Sequence, residues 1–299
     1  ALLRMLLQQP SGDLSRRVGA HRVAAARADR RASTCKQQPQ IVLDLGVTGT
    51  NGKTTTTRLL NHIMKFVGYT VGMCTTEGVY IKNRLIYEGD MTGPFSHKMV
   101  LTDPTVDMAI LECARGGLLR EGLGFRHCDI GVVTNVSADH LGMNYINDLD
   151  KMSRVKGIIP EVVKPDGYAI LNADDHLVAD MANQTSGNII FYSLEGKTNI
   201  VIKEHLKSGG TAVIFEDGEF CVMKGKWKYP LVEAKDVPIT FDGKARFNIA
   251  NVLASIGAAI GIGVKNENIT ASLTTFFPSY SQRSEERRVG KECRSRWSP

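Results

Sequence analysis

Apolar residues recur along this chain in two rhythms. Continuous runs at Ile41-Val42-Leu43 (with Leu45 and Val47), 69–74, 108–111, 130–135 and 168–171 have the length and composition of strands buried on both faces. After the first of them, Leu59, Leu60, Ile63, Met64 and Val67 fall at helical spacing, and the segment after Pro94 also reads as helical. Val79-Tyr80-Ile81 and Leu85-Ile86-Tyr87 flank Lys82-Asn83-Arg84, which predicts a hairpin. Apolar strands separated by helices predict an α/β fold, a parallel sheet with helices on both faces, whose last strand is 168–171.

From 188 to 242 the pattern changes. Short β-like runs at 189–192, 200–202, 212–215 and 220–223 are punctuated by Gly209-Gly210, Asp217-Gly218 and Lys224-Gly225, and predict a small antiparallel β portion. Phe247-Asn248-Ile249-Ala250-Asn251 then opens a small-residue helix to about Ile260, and a last helix is expected over 268–276. No internal repeat is visible.

Parallel sheets bind ligands outside the carboxyl ends of their strands. Here those ends turn polar: Thr75-Thr76, Glu112, His140, Asn172 and, after the first strand, Val47-Thr48-Gly49-Thr50-Asn51-Gly52-Lys53-Thr54-Thr55. A Gly-rich turn between a strand and a helix start is a phosphate cradle, because backbone N–H groups and the positive end of the helix dipole converge on an anion. Lys53 would neutralise the outer phosphates and the Thr54 hydroxyl would hold Mg²⁺. The strict pattern wants glycine at 47, where this chain has valine, so the motif is the shorter G-T-x-G-K-T-T form.

Composition adds boundaries. A hydrophobic fraction of 42% and a charged fraction of 23% suit a soluble globular protein, and no apolar run reaches the roughly 20 residues of a membrane span. Cys35, Cys74, Cys113, Cys128, Cys221 and Cys293 form no C-x-x-C pair, which points to a reducing cytoplasm rather than a disulfide framework or structural zinc. The net charge of +6 belongs to the ends: residues 1–36 carry eight Arg or Lys against two Asp, and 283–299 carry six against three Glu, so the middle is slightly acidic. Nothing in that middle resembles nucleic-acid recognition.

The remaining candidates each have a plain structural alternative. Glu112, directly after an apolar strand, is placed as a Walker-B-type acid to hold a metal, or is a solvated strand-end carboxylate. His140 is a second metal ligand or a satisfied loop histidine. Arg115, followed by Gly116-Gly117, has room to clamp a carboxylate or phosphate with its bidentate fork. Lys156, on an expected helix, reads by itself as a surface lysine. The motif alone leaves NTP hydrolysis coupled to motion, phosphoryl transfer to a small acceptor, and carboxylate activation all open.

These residues resemble the Mur ligase superfamily of ATP-dependent amino-acid ligases, through Gly49-Thr50-Asn51-Gly52-Lys53-Thr54-Thr55, Glu112, His140, Asn172-x-Asp174-Asp175 and Asn248-x-x-Asn251. Gly89-Asp90-Met91-Thr92-Gly93-Pro94, the block from Glu112-Cys113-Ala114-Arg115-Gly116-Gly117 to Phe125, and Thr134-Asn135-Val136-Ser137-Ala138-Asp139-His140-Leu141-Gly142 resemble the Mur-like region of the cyanophycin synthetases within it. The resemblance covers about residues 41–282. It implies a Mur-type central domain, ATP and Mg²⁺ as cofactors, and activation of the β-carboxylate of a poly-aspartate backbone as an acyl phosphate. The α-amino group of L-arginine would then attack, building cyanophycin, with no nucleic-acid or membrane partner and a homo-oligomeric full-length enzyme. By the same resemblance Gly49 to Thr55 would hold the phosphates and Asn251 would reach the adenine. Thr54 and Glu112 would hold one Mg²⁺, and His140 and a carbamylated Lys156 a second. Thr92 and Arg115 would contact substrate. The alternatives are another Mur-type acceptor (a peptidoglycan precursor or folylpolyglutamate) or a lobe that binds ATP without ligating.

Two departures bear on domain organisation. Phe247 stands where many Mur ligases have histidine. Residues 1–40 read as a non-conforming extension or linker, and 283–299 as a foreign, vector-like tail, flanking a 41–282 ATP-binding domain. Cyanophycin synthetases also resemble an ATP-grasp domain upstream and a C-terminal lobe downstream, neither of which is recognised here. The expectation is weak or no ligase activity from this chain by itself.

Overall fold

The computed structural model describes residues 42–137 and 149–277. The arginine-rich N-terminal stretch, His140 and the basic tail lie outside the described residues. The described strands form one sheet. They are β1 (Leu43–Thr48), β2 (Val71–Thr75), β3 (Gly78–Ile81), β4 (Arg84–Glu88), β5 (Met108–Glu112), β6 (Cys128–Val133), β7 (Val163–Asn172), β8 (Asn188–Ser193), β9 (Thr211–Glu216), β10 (Glu219–Lys224) and β11 (Trp227–Glu233). Their order across the sheet is β11-β10-β9-β8-β7-β6-β1-β5-β2-β3-β4. From β2 to β9 every neighbouring pair is parallel. Antiparallel hairpins finish both edges, β3 and β4 on one side and β10 and β11 on the other.

Both faces are covered. α1 (Lys53–Phe66), α7 (Arg246–Ile262) and α8 (Asn266–Leu273) lie on one; α4 (Leu149–Glu161), α5 (His176–Ala179) and α6 (Ile200–Lys207) lie on the other. Alternation along the strands explains the unbroken apolar runs. Leu45 and Val47 of β1, Ile110 of β5 and Ile170 of β7 pack with α1 and α7. Ala109 and Leu111 face the cluster under α2 (Pro94–Thr102), and Ala169 and Leu171 face the α4 side. After Lys53, α1 carries four successive threonines, each up to roughly 0.7 kcal/mol worse than alanine in a helix. Burial of Leu59, Leu60, Ile63 and Met64, all 0% exposed, contributes about 1.5–3 kcal/mol per side chain and outweighs that cost. From Asn248 to Ala259 α7 is buried almost all round, as its mostly small and apolar sequence requires.

Three expectations need correction. The sheet does not end at 168–171, because β8 and β9 continue it in parallel, and within 188–242 only the two pairings made by β10 are antiparallel. The 188–242 region thus continues the main sheet, with the antiparallel portion expected there confined to its last strands. The β-like run at 200–202 is the first turn of α6: the Asn199 side chain accepts from the N–H groups of Val201 and Ile202 at 2.8 and 3.3 Å, and this cap overrides the β-branched preference. The hairpin turn is tighter than expected, with Lys82 and Asn83 both at positive φ and Arg84 already in β4. Cys74, Cys113, Cys128 and Cys221 are free and buried, and among the described residues no helix is long and apolar enough to cross a membrane.

At the opposite end of the strands from the phosphate loop, Lys164 meets Asp129 at 2.8 Å and Asp44 at 3.5 Å, and the Asp44 N–H donates to Asp129 at 3.0 Å. Burial, reinforced by Asp129 and opposed by Lys164, pushes the Asp44 carboxyl up to about 7. A carboxyl whose pKa rises on folding stabilises the native state while protonated and loses that contribution as pH climbs through the folded value. That loss starts at the unfolded carboxyl's value of 3.8 and is complete above about 7, so Asp44→Asn is expected to raise the melting temperature a little at pH 5 and more at pH 8. A variant less stable than wild type at pH 8 would contradict this account of the cluster.

Candidate active site

The loop after β1 enters α1 through Gly52, which sits at φ +85° with no side-chain cap on the helix. The first-turn N–H groups therefore open on the space beyond the strand ends, where the helix dipole adds positive potential. Lys53 and Thr54 occupy the first two helical positions, and the Lys53 ammonium donates to the Thr50 carbonyl at 2.9 Å. Burial lowers the Lys53 pKa, opposed by the charges of Glu112 and Asp90.

β5 lies beside β1 and delivers Glu112, its last residue, to the same place. The Thr54 hydroxyl reaches both Glu112 oxygens, at 2.9 and 3.1 Å, and lies 3.3 Å from the Thr76 hydroxyl. Glu112 is fully buried, and desolvation raises its pKa against the pull of the Thr54 hydrogen bond and the Lys53 charge. The alternative of a solvated strand-end carboxylate is thereby excluded. A hard divalent ion accepts this donor set, a threonine hydroxyl and a carboxylate already at one point. Among the described residues no three His, Cys, Asp or Glu side chains gather as a preformed metal cage.

Lys156 is not a surface lysine. α4 packs it inward at 2% exposure. Burial, with the positive charges of Lys53 and Arg115, lowers its pKa to about 7, while Asp175 opposes the shift. Arg115 opens α3 (Arg115–Glu121) directly after the Glu112 strand. Of the two glycines behind it, Gly117 permits a close backbone approach, since a Cβ there would lie 2.8 Å from the Thr92 carbonyl oxygen and 3.1 Å from the Gly93 Cα, whereas one on Gly116 would meet only the Arg120 side chain, at 3.5 Å. The Thr92 loop and α3 thus pack backbone to backbone. Thr92 itself is buried, with its hydroxyl on Asp90 at 2.7 Å.

Asn251, from α7, supports the loop from beneath: a Cβ on Gly52 would stand 2.1 Å from its side-chain oxygen. Asn248 anchors that helix end on the Ile239 carbonyl at 2.7 Å. Asn172 and Asp175 brace the chain after β6, on the Thr134 carbonyl at 2.9 Å and the Val136 N–H at 2.7 Å. Asp174 instead ties Ser193 and Leu194. Thus Gly49 to Thr55, Glu112, Lys156, Arg115 and Asn251 come together, the Thr92 loop borders them, and His140 lies outside the described residues.

Sequence reasoning missed three participants. Asp90, within electrostatic reach of Lys53 and Glu112, was visible only as a loop acid. Asn135 was visible only inside a motif. His97, buried on α2, accepts from the Gly124 N–H at Nδ1 (3.2 Å), so its Nε2 carries the proton and donates to the Glu112 carbonyl at 3.2 Å. Burial lowers the His97 pKa to about 4 and keeps the ring neutral. No local pattern distinguishes such a histidine from any other.

The arrangement can be set beside known proteins. Residues 47–259 match the family described as Mur ligase middle domain. The chain is 49% identical over 238 residues to a cyanophycin synthetase of a Nostoc species, covering 80% of this chain and 26% of the relative. It is 48% identical over 246 residues to that of Crocosphaera subtropica, covering 82% of this chain and 28% of the relative. It thus spans roughly a quarter of their length. Among solved structures, a UDP-N-acetylmuramoyl-L-alanyl-D-glutamate–2,6-diaminopimelate ligase superposes with a TM-score of 0.63 at 21% identity, covering 92% of this chain and 53% of that one; it shares the fold. Since the family match runs from the strand that feeds the phosphate loop to the helix that carries Asn251, the chain belongs to the Mur ligase middle domain family.

Proposed function

We propose that this domain is the ATP-binding lobe of an amide ligase. It activates the β-carboxylate of an aspartate in a poly-aspartate backbone as an acyl phosphate and lets the amino group of L-arginine displace the phosphate. The identity to cyanophycin synthetases supports the substrates. The observation that carries the chemistry is the Thr54 hydroxyl on the Glu112 carboxylate at the foot of an uncapped helix.

The barrier such a site must lower is electrostatic. Two unit anions brought to about 4 Å at an effective dielectric constant of about 20 repel by roughly 4 kcal/mol, and a triphosphate carries more than one charge. The chain answers with Lys53 and Arg115, both close enough to depress the pKa of Lys156. The first-turn amides hold the β- and γ-phosphates, Lys53 draws charge from the γ-phosphate, and Arg115 orients the substrate carboxylate beside it, with the Thr92 loop as the opposite wall. A carboxylate oxygen forms its bond to the γ-phosphorus as ADP leaves. The amine nitrogen then bonds to the acyl carbon, phosphate departs, and the nitrogen gives up a proton. Mg²⁺, held by Thr54 and Glu112 and at a second position by His140 and Lys156 as its carbamate, would supply further positive charge when bound.

Release of ADP from Mg-ATP tests the assignment. Stimulation by cyanophycin primer and arginine together supports it; indifference to both overturns the acceptor. Lys53→Ala is expected to weaken Mg-ATP binding roughly tenfold or more, the scale of losing a charged phosphate contact. Calorimetry showing unchanged affinity would remove the phosphate loop from the mechanism. A second prediction concerns Lys156. With its pKa near 7, the amine becomes neutral, and able to add CO₂, as pH rises through neutrality. In ¹³C-bicarbonate, a carbamate resonance should grow from pH 6 to pH 8 and be missing in Lys156→Arg. Its absence from the wild-type protein at pH 8 would remove Lys156 from the second metal position.

A further inference from the structure

Besides the Lys53 ammonium on the Thr50 carbonyl, the loop between β1 and α1 is held from outside. Five hydrogen bonds join Thr50 and Asn51 to the four residues that follow β6. The Asn135 carboxamide spans Asn51 alone, accepting its N–H at Oδ1 (2.9 Å) and donating from Nδ2 to its carbonyl (3.1 Å). The Thr134 hydroxyl donates to that same carbonyl at 2.6 Å. The Thr50 N–H donates to the Asn135 carbonyl at 2.9 Å, and the Ser137 N–H to the Thr50 hydroxyl at 3.0 Å. Contact is close enough that a Cβ on Gly49, at φ +148°, would fall 1.8 Å from the Thr134 hydroxyl oxygen.

The Asn51 carbonyl thus has two donors and cannot turn. In a planar trans peptide the C=O and the following N–H point in opposite directions. Fixing the Asn51 oxygen on Thr134 and Asn135 therefore aims the Gly52 N–H the other way, into the cradle at the helix start. Turned over, the same peptide would present its oxygen to an anion instead of a donor, and Gly52, in the left-handed region at φ +85°, is a residue that permits such a turn. Only a carboxamide offers a donor and an acceptor in one plane to bridge the N–H and C=O of a single residue.

We propose that Thr134 and Asn135 are positioning residues for nucleotide binding: by clamping the Asn51–Gly52 peptide from outside the loop, they hold the Gly52 N–H in the phosphate-binding orientation. This rests on the reading of residues 49–55 as the phosphate site. The clamp acts on binding and not on the reacting atoms, so its loss raises the KM for ATP and leaves kcat nearly unchanged.

The test uses Asn135→Ala, Thr134→Val and the double variant, with Lys53→Ala alongside. Each single change is expected to weaken Mg-ADP binding roughly three- to tenfold, and the double change roughly thirtyfold or more, in proportion to the donors lost. In wild type, Mg-ADP should move the Gly52 amide proton resonance strongly downfield. The double variant should lose most of that shift while its unliganded melting temperature stays close to wild type. A merely structural role would lower the melting temperature and leave the shift on saturation intact. If the double variant does not fold, the two single variants decide by the same amide resonance. If Lys53→Ala destroys binding while the Thr134 and Asn135 variants bind as wild type with an unchanged Gly52 shift, the clamp is refuted. If nucleotide binds equally well to Lys53→Ala, the phosphate-site reading has failed instead.

Discussion

One geometric constraint governs the rest of the molecule: β1 runs between β5 and β6, in parallel with both. Three strand ends therefore open at one level on one side of the sheet. The loop after β1 receives a carboxylate from β5 and a clamp from the chain after β6 without any long excursion. The ladders cannot slip, because a one-residue shift would turn Leu45 and Val47 away from α1 and α7. A rigid sheet is thus the means by which side chains distant in sequence, Thr54 and Glu112, meet within hydrogen-bond distance.

Burial then sets the electrostatics. Glu112, Lys156 and much of Lys53 are withdrawn from water, so each resists its charged form, and each depends on neighbours for compensation. Close to the helix start Lys53, Lys156 and Arg115 stand among the carboxylates of Glu112, Asp90 and Asp175. The neutral His97, bound at both ring nitrogens, ties the Glu112 backbone to the loop at Gly124 without adding a charge to that balance.

Much of the domain could be read directly from the chain, and the misreadings have physical causes. The run at 200–202 is β-branched, yet Asn199 caps it as a helix. β8 and β9 were recognised as strands but not as parallel ones, because the helix that crosses between them was the element misread. Lys156 illustrates a different limit. Helical spacing put it on a helix, but which side of α4 faces the sheet depends on how that helix packs.

Sequence by itself determined the α/β alternation, the Gly-rich turn between β1 and α1 and the strand-end placement of Glu112, because these depend on local periodicity and on glycine and β-branched chemistry within a few residues. It also carried the family, whose match takes in the same stretch. Tertiary structure alone decided that the sheet continues through β9, that Lys156 is buried beside Lys53 and Arg115, and that the Asn135 side chain, 84 residues from Asn51, hydrogen-bonds to its backbone. Those outcomes rest on contacts between distant segments, and a contact of that kind leaves no period in the sequence of either partner.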